Sequence, residues 1–199
     1  MFKRTGIFTC YEANCCVDNQ KRKSHTSIGR IYFWTATVHK WRYLLEGNRS
    51  KQLVVDYLKE LSFKKFITVY GFVIMPNHIH VIWRLNKLNG KESPKASFLK
   101  YTAHEFLKQL KNEGKACQYK VNALNKDHEI WQRDSLGVEI YSRHVAMQKL
   151  DYIHANPVSG KWLLAKDDIR YHYSSAHFYE TGVDSFGFLN NLYNLFDGE

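Results

Sequence analysis

The chain has 199 residues, 44% of them hydrophobic and 15% aromatic, enough apolar material for one cored domain and too much for wholesale disorder. No apolar run reaches the roughly 18 residues of a membrane span, and the basic N-terminus lacks the apolar stretch of a signal peptide, so a cytoplasmic protein with no membrane partner is expected. Twenty-nine Lys and Arg against 19 Asp and Glu give a formal charge of +10, which points to an anionic partner.

Residues 1–29 carry Lys21-Arg22-Lys23 and little periodicity, and read as an irregular basic arm. Cys10, Cys15 and Cys16 lie in it without C-x-x-C spacing, and are expected to be reduced thiols. Ile31 to Val38 is rich in strand formers and makes a first strand. Ser50 is the expected N-cap of a helix to Lys65, with Leu53, Val54, Tyr57, Leu58 and Leu61 at helical spacing. Phe66–Ile74 is a second strand, and Met75-Pro76-Asn77 a tight connection. His78–Leu85 is a third strand, antiparallel to the second. After a polar loop, Ser97–Lys111 reads as a second helix closed by Gly114.

Beyond a polar linker, residues 129–134 and 138–141 read as a short strand pair. Ser142 caps a helix running to about Ala155, and Pro157 stops it because the residue before proline avoids the α region. Lys161–Glu199 wraps the core as a tail. The order β-α-β-β-α-β predicts an α+β fold, a ferredoxin-like split βαβ antiparallel sheet with helices on one face, plus a C-terminal helix and tail. The expected domain spans residues 30–182, with 183–199 as the tail. One sheet face is then left open for a ligand.

That open face would carry His78 and His80. Residues two apart on a strand point to the same side, while Ile79 and Val81 point to the core. Two imidazoles aimed from a rigid strand suit a divalent metal, although taken alone such a pair is more often a surface or hydrogen-bonded feature. The later helix supplies what is missing. Tyr152 and Asn156 are i, i+4 neighbours on one helix face. An Asn carbonyl is a hard neutral ligand suited to Mg²⁺ or Mn²⁺, and a Tyr beside such a metal is a candidate covalent nucleophile. His154 points away from both and, like His144, reads as an exposed helix histidine. Tyr101, with Glu105 one turn on, is a rival nucleophile but falls on the apolar side of its helix. Tyr141 reads as a packing residue at a strand end.

Aromatics interleave with cations at His39-Lys40-Trp41-Arg42-Tyr43, Trp83-Arg84, Trp131-Gln132-Arg133 and Arg170-Tyr171-His172-Tyr173. Rings that stack on bases beside cations that follow phosphates are how single strands are held, with half of these rings expected in the core. The candidate DNA contacts are Trp131, Arg133, Lys100 and Lys149. Arg133 has a phosphate-binding fork or pairs with Asp134 or Glu139. Lys100 belongs to a basic strip with Lys108 and Lys111, and the alternative there is a solvated face.

His78-Ile79-His80 resembles the HUH motif of the single-tyrosine transposases, and Met75-Pro76-Asn77-His78-Ile79-His80 is the form typical of the IS200-like superfamily. Tyr152-Ile153-His154-Ala155-Asn156-Pro157-Val158 resembles the family's Tyr-x-x-x-Asn-Pro-Val segment, which carries the nucleophile. Trp131-Gln132-Arg133 and Tyr173-Ser174-Ser175 are similar to its W-Q-R and S-S signatures. The resemblance spans about residues 30–180, and Asn156 in place of Gln is similar to the REP-associated tyrosine transposase branch. It implies Tyr152 as nucleophile, with His78, His80 and Asn156 as ligands of a divalent metal, Mg²⁺ or Mn²⁺. Single-stranded or hairpin DNA is the implied partner, nicked through a 5′-phosphotyrosine and rejoined by reversal without ATP, by a monomer or a homodimer. Two alternatives stand beside it, a catalytically silent hairpin-binding protein and an RNA-binding domain of the same topology. The arm and the residues after Gly182 have no counterpart in the resemblance.

Overall fold

A computed structural model describes residues 26–133 and 135–196. The thiol reading of Cys10, Cys15 and Cys16, and the pairing of Arg133 with Asp134, lie outside the described residues. In chain order the elements are β1 (Ile31–Thr37), α1 (Asn48–Phe63), β2 (Ile67–Ile74), β3 (His78–Leu85), α2 (Pro94–Asn112), β4 (Lys120–Ala123), β5 (Lys126–His128), β6 (Leu136–Glu139), α3 (Arg143–Ala155) and α4 (Ala176–Thr181). The main sheet has the order β2-β3-β1-β6, and its neighbours are antiparallel throughout. This is the ferredoxin-like arrangement expected from the sequence. Among the described residues no helix is long and apolar enough to cross a membrane.

Strand alternation sorts the side chains into two faces. On one face Trp34 and Trp83 stack at 4.7 Å, and Phe98 of α2 meets both edge-on. Tyr57 of α1 joins them through Phe98, at 6.0 Å. The opposite face carries Phe33, Thr35, His78 and His80, and α3 lies on it over β2. Gly71 makes that approach possible. A β-carbon there would stand 2.9 Å from Leu150 Cδ1 and 3.1 Å from Ile153 Cδ1, closer than packed carbons tolerate. The register of β2 on β3 slips at the same point, between Val69 and Gly71. The histidine face is therefore covered in part by α3, where the sequence suggested an open one; His78 and His80 are 7% and 5% exposed.

Several local expectations shift. α1 begins after Gly47, and Ser50 is buried in its first turn instead of capping it. α2 starts a turn earlier than its apolar spacing suggested. Ser93 Oγ accepts from Ala96 N at 3.2 Å, and Pro94 takes the first helical position, where its missing N–H costs nothing. Among the described residues, 129–133 do not pair with 138–141. β6 joins the edge of β1 instead, Trp131 makes one bridge to Val38, and the polar linker holds the β4–β5 hairpin. Ser142 caps α3 as expected, accepting from Val145 N at 3.3 Å, and the helix gives way to a short 3-10 turn at Pro157. The tail covers the exposed edge of β2. Ser174 bridges to Val73 and Leu189 to Val69, which removes an edge open to pairing. Phe186 and Phe188 pack on Phe72 at 4.9 and 5.8 Å.

Candidate active site

β3 and β1 pair so that His80 lies opposite Thr35 and His78 opposite Thr37. The two imidazole centroids are 4.7 Å apart, nearly perpendicular. Each ring is held through Nδ1. His78 Nδ1 lies 2.7 Å from Asn77 Oδ1, and Asn77 Nδ2 donates to the Trp41 carbonyl at 3.3 Å. With the amide so oriented, Oδ1 can only accept, so His78 Nδ1 carries the proton and Nε2 keeps a lone pair. His80 Nδ1 sits 2.8 Å from Thr35 Oγ1, and His80 Nε2 is buried with no hydrogen-bond partner among the described residues. An imidazole fixed through one nitrogen, with the other bare, is the arrangement of a metal ligand.

Electrostatics favour the same state. Burial pulls the His78 pKa down to about 4, against a hydrogen bond with Asn156 that raises it and the Lys161 charge that lowers it further. Burial likewise lowers His80 to about 3, helped by His78 and the Lys149 ammonium. Both imidazoles are neutral near pH 7, the form that binds metals.

α3 brings the remaining residues. The Tyr152 ring meets His80 edge-on at 5.3 Å and Phe33 at 5.9 Å, while half of the side chain stays exposed. Asn156, at the C-terminal cap of α3, lies close enough to His78 to raise its pKa. Lys149 Nζ lies over the Phe33 ring at 5.2 Å. His78, His80, Tyr152, Asn156 and Lys149 thus converge in one place. Among the described residues no group of three His, Cys, Asp or Glu side chains could hold a metal, so a third protein donor beside the two imidazoles would be the Asn156 amide.

The other candidates fall elsewhere. Trp131 is in the core, corrected from a DNA contact. It is 6% exposed, packs on Phe98 and Phe106, and donates its indole N–H to Thr102 Oγ1 at 2.9 Å, so its faces are not free to stack on bases. Lys100 lies on α2, across the sheet from the histidines, and its ammonium pairs with Glu92 at 2.8 Å. Arg133 pairs with Glu129 at 3.5 Å, not with Glu139, which meets Arg30 at 3.7 Å. Tyr101 is also across the sheet; it is 43% exposed and stacks on Tyr57 at 4.0 Å, instead of entering the core. Tyr141 is exposed beyond the end of β6.

His154 is the largest correction. It was expected on the surface and is buried, with Nε2 2.9 Å from Ser175 Oγ. Ser175 Oγ accepts from Phe72 N at 3.0 Å and lies 3.3 Å from the Phe72 carbonyl. Burial lowers the His154 pKa to about 4, opposed by Asp168 and Asp151. The signal was present, since His154 is i+4 from buried Leu150 and shares the helix face that docks. The sequence reading also passed over Asn77 and Thr35, which orient the imidazoles, and Trp162, whose ring lies 6.0 Å from His78. Asn77 sits inside the histidine motif itself; Trp162 stands in a segment without periodicity and gave no signal.

No protein-family model matches this sequence, and a search of curated proteins finds no match either. Among solved structures, a REP-associated tyrosine transposase bound to a REP hairpin is similar, with a TM-score of 0.57 and 18% identity. The match covers 86% of this chain and 92% of that one. At that identity the likeness is one of fold.

Proposed function

We propose that this chain is a metal-dependent single-stranded DNA transposase that nicks and rejoins DNA at hairpins. The observation that carries the reading is the meeting of Tyr152 with His80, whose ring lies 4.7 Å from His78; both imidazoles are neutral and anchored through Nδ1, and the buried His80 Nε2 has no partner among the described residues. The fold shared with a hairpin-bound transposase supports it.

Tyr152 supplies the nucleophile. Its Oη forms a bond to the scissile phosphorus while the bond to the 3′ oxygen breaks. The DNA is left as a 5′-phosphotyrosine and a free 3′-OH, and the phenol proton ends on the departing oxygen. Attack by a 3′-OH on that phosphotyrosine reverses the step and rejoins strands with no external energy source. The half-exposed position of Tyr152 gives DNA access, and Phe33 and His80 limit the directions its ring can take. Lys149 and Lys161 place positive charge beside the site, where a phosphodiester would sit. His78, His80 and Asn156 would hold a divalent cation, Mg²⁺ or Mn²⁺, which supplies Lewis-acid polarisation of a phosphoryl oxygen. Tyr152 faces histidines of its own chain, because Leu150 and Ile153 seat α3 on Gly71 and His154 ties it to Ser175.

The test is incubation with a pool of labelled DNA hairpins bearing single-stranded flanks in Mn²⁺, followed by a denaturing gel. A covalent protein–DNA adduct is expected. Tyr152→Phe should remove it while sparing binding, and EDTA, His78→Ala and His80→Ala should each suppress it. An undiminished adduct in Tyr152→Phe, or nicking insensitive to EDTA, overturns the reading. Hairpin binding by the wild-type chain with no adduct would instead identify a catalytically silent binding protein.

A further inference from the structure

Beside the histidine pair the backbone does something costly. Lys40 and Trp41 both adopt left-handed conformations, with φ of 55° and 56°. Side-chain-bearing residues avoid this region, and it persists only where the surroundings impose it. Here the Trp41 carbonyl is held by Asn77 Nδ2, the same amide whose oxygen fixes His78. The turn displays a large indole instead of burying it, since Trp41 is 56% exposed and meets His78 edge-on at 6.1 Å.

The surface around it is built of similar parts. Tyr43 is 51% exposed and lies 5.8 Å from Trp162, which is itself 6.0 Å from His78. Lys161 Nζ sits over the Trp162 ring at 5.2 Å. From Trp41 a groove of about 740 Å³ runs past Arg42, Tyr43, Asn77 and Lys161 toward the C-terminal end of α2. Asn77, Trp41 and Lys161 line this groove and each acts on His78, so the groove lies beside the candidate active site. Exposed ring faces beside cations, next to the histidine pair, fit unpaired nucleotides better than a duplex or an apolar ligand.

We propose that Trp41 is the stacking platform for an unpaired nucleotide next to the scissile phosphate, and that the Trp41–Lys161 groove carries the adjoining single strand. This rests on the reading of His78, His80 and Tyr152 as a DNA-nicking centre. It adds a residue that engages the base where those three engage the phosphate. The shared Asn77 links the two, so seating a base on Trp41 and aiming His78 use one amide.

The test is fluorescence anisotropy with the full chain carrying Tyr152→Phe, which cannot cut. The probes are a labelled oligothymidylate and an abasic oligomer of equal length and charge. The thymidylate should bind about tenfold tighter, the worth of one stacked base. Trp41→Ala should erase most of that preference and leave the abasic affinity unchanged, while Trp41→Phe, which keeps a ring face, should retain most of it. Equal affinity for the two probes, or a preference that survives Trp41→Ala, overturns this inference and leaves the nicking centre standing. Failure to bind either probe overturns the single-strand reading of the whole site. An unchanged melting temperature for Trp41→Ala separates loss of stacking from loss of fold.

Discussion

The two faces of the same sheet are put to different uses, although the same strands supply both. On the α1–α2 face, Trp34, Trp83 and Phe98 are sealed into a close-packed aromatic cluster whose contribution is burial. On the α3 face, Phe33 and His80 stand next to a half-exposed Tyr152, His78 lies beside His80, and the His80 Nε2 has no partner among the described residues. Close packing tolerates no vacancy. The Trp34 and Trp83 indole N–H groups also lack partners among the described residues, and what sets the α3 face apart is that its unpartnered imidazole nitrogen lies beside a half-exposed Tyr152. Alternation along β3 lets adjacent residues serve both faces on a rigid backbone.

The largest expected effect is on the packed face. Trp83→Ala should cost about 3–5 kcal/mol of stability by urea denaturation, the range for deleting a buried aromatic. Trp83→Phe should cost much less, since it also removes an indole N–H that has no partner among the described residues. A small loss for Trp83→Ala would break the contrast between the faces.

Acid should act on the α3 face next. His154 is held near a pKa of 4 in the fold against 6.5 when free. Between those values the unfolded chain binds a proton that the native chain does not, so stability falls as pH drops through the window and levels off below it. The span corresponds to about 3 kcal/mol for this residue. Urea titrations with chelator present should show the decline, and His154→Gln should flatten part of it. A slope unchanged in His154→Gln would remove this residue from the account.

Third, Mn²⁺ at a hundredfold excess over its dissociation constant should stabilise the wild-type chain by about 2.7 kcal/mol, read as a rise in melting temperature. His80→Ala should lower stability even without metal, because it empties a buried position and strands Thr35 Oγ1, and it should abolish the Mn²⁺ response. A persistent response would place the metal elsewhere. Smallest is Gly71→Ala, expected to cost about 1–3 kcal/mol by forcing Leu150 and Ile153 off β2. Adduct formation should drop by more than that loss of stability explains, because the shift displaces the helix that carries Tyr152. Equal losses would mean that Gly71 serves packing alone.

Much of the site was readable before any coordinates. The two-residue spacing of His78 and His80 and the four-residue spacing of Tyr152 and Asn156 are local periodicities, and each put its pair on one face. Ser142 and Pro157 set the ends of α3 through backbone chemistry that acts within a few residues. Trp131 could not be read in the same way. A tryptophan beside an arginine looks alike in a core and on a DNA surface, and only its contacts with Phe98, Phe106 and Thr102 separate them. Nor could the sequence place Lys100 across the sheet from the histidines, since its helix is amphipathic whichever sheet face it covers.

What the sequence by itself determined is the set of elements, their order, and which side chains share a face, because these follow from dihedral preferences and periods that operate within a turn or a strand. Only the tertiary structure decided that α3 lies against β2, that His154 is buried on Ser175, and that Trp41 is displayed beside His78. Each of those depends on contacts between residues far apart in the chain, such as Gly71 with Leu150 or Asn77 with Trp41. Such contacts form only when distant surfaces match in shape and polarity, and no local pattern encodes that match.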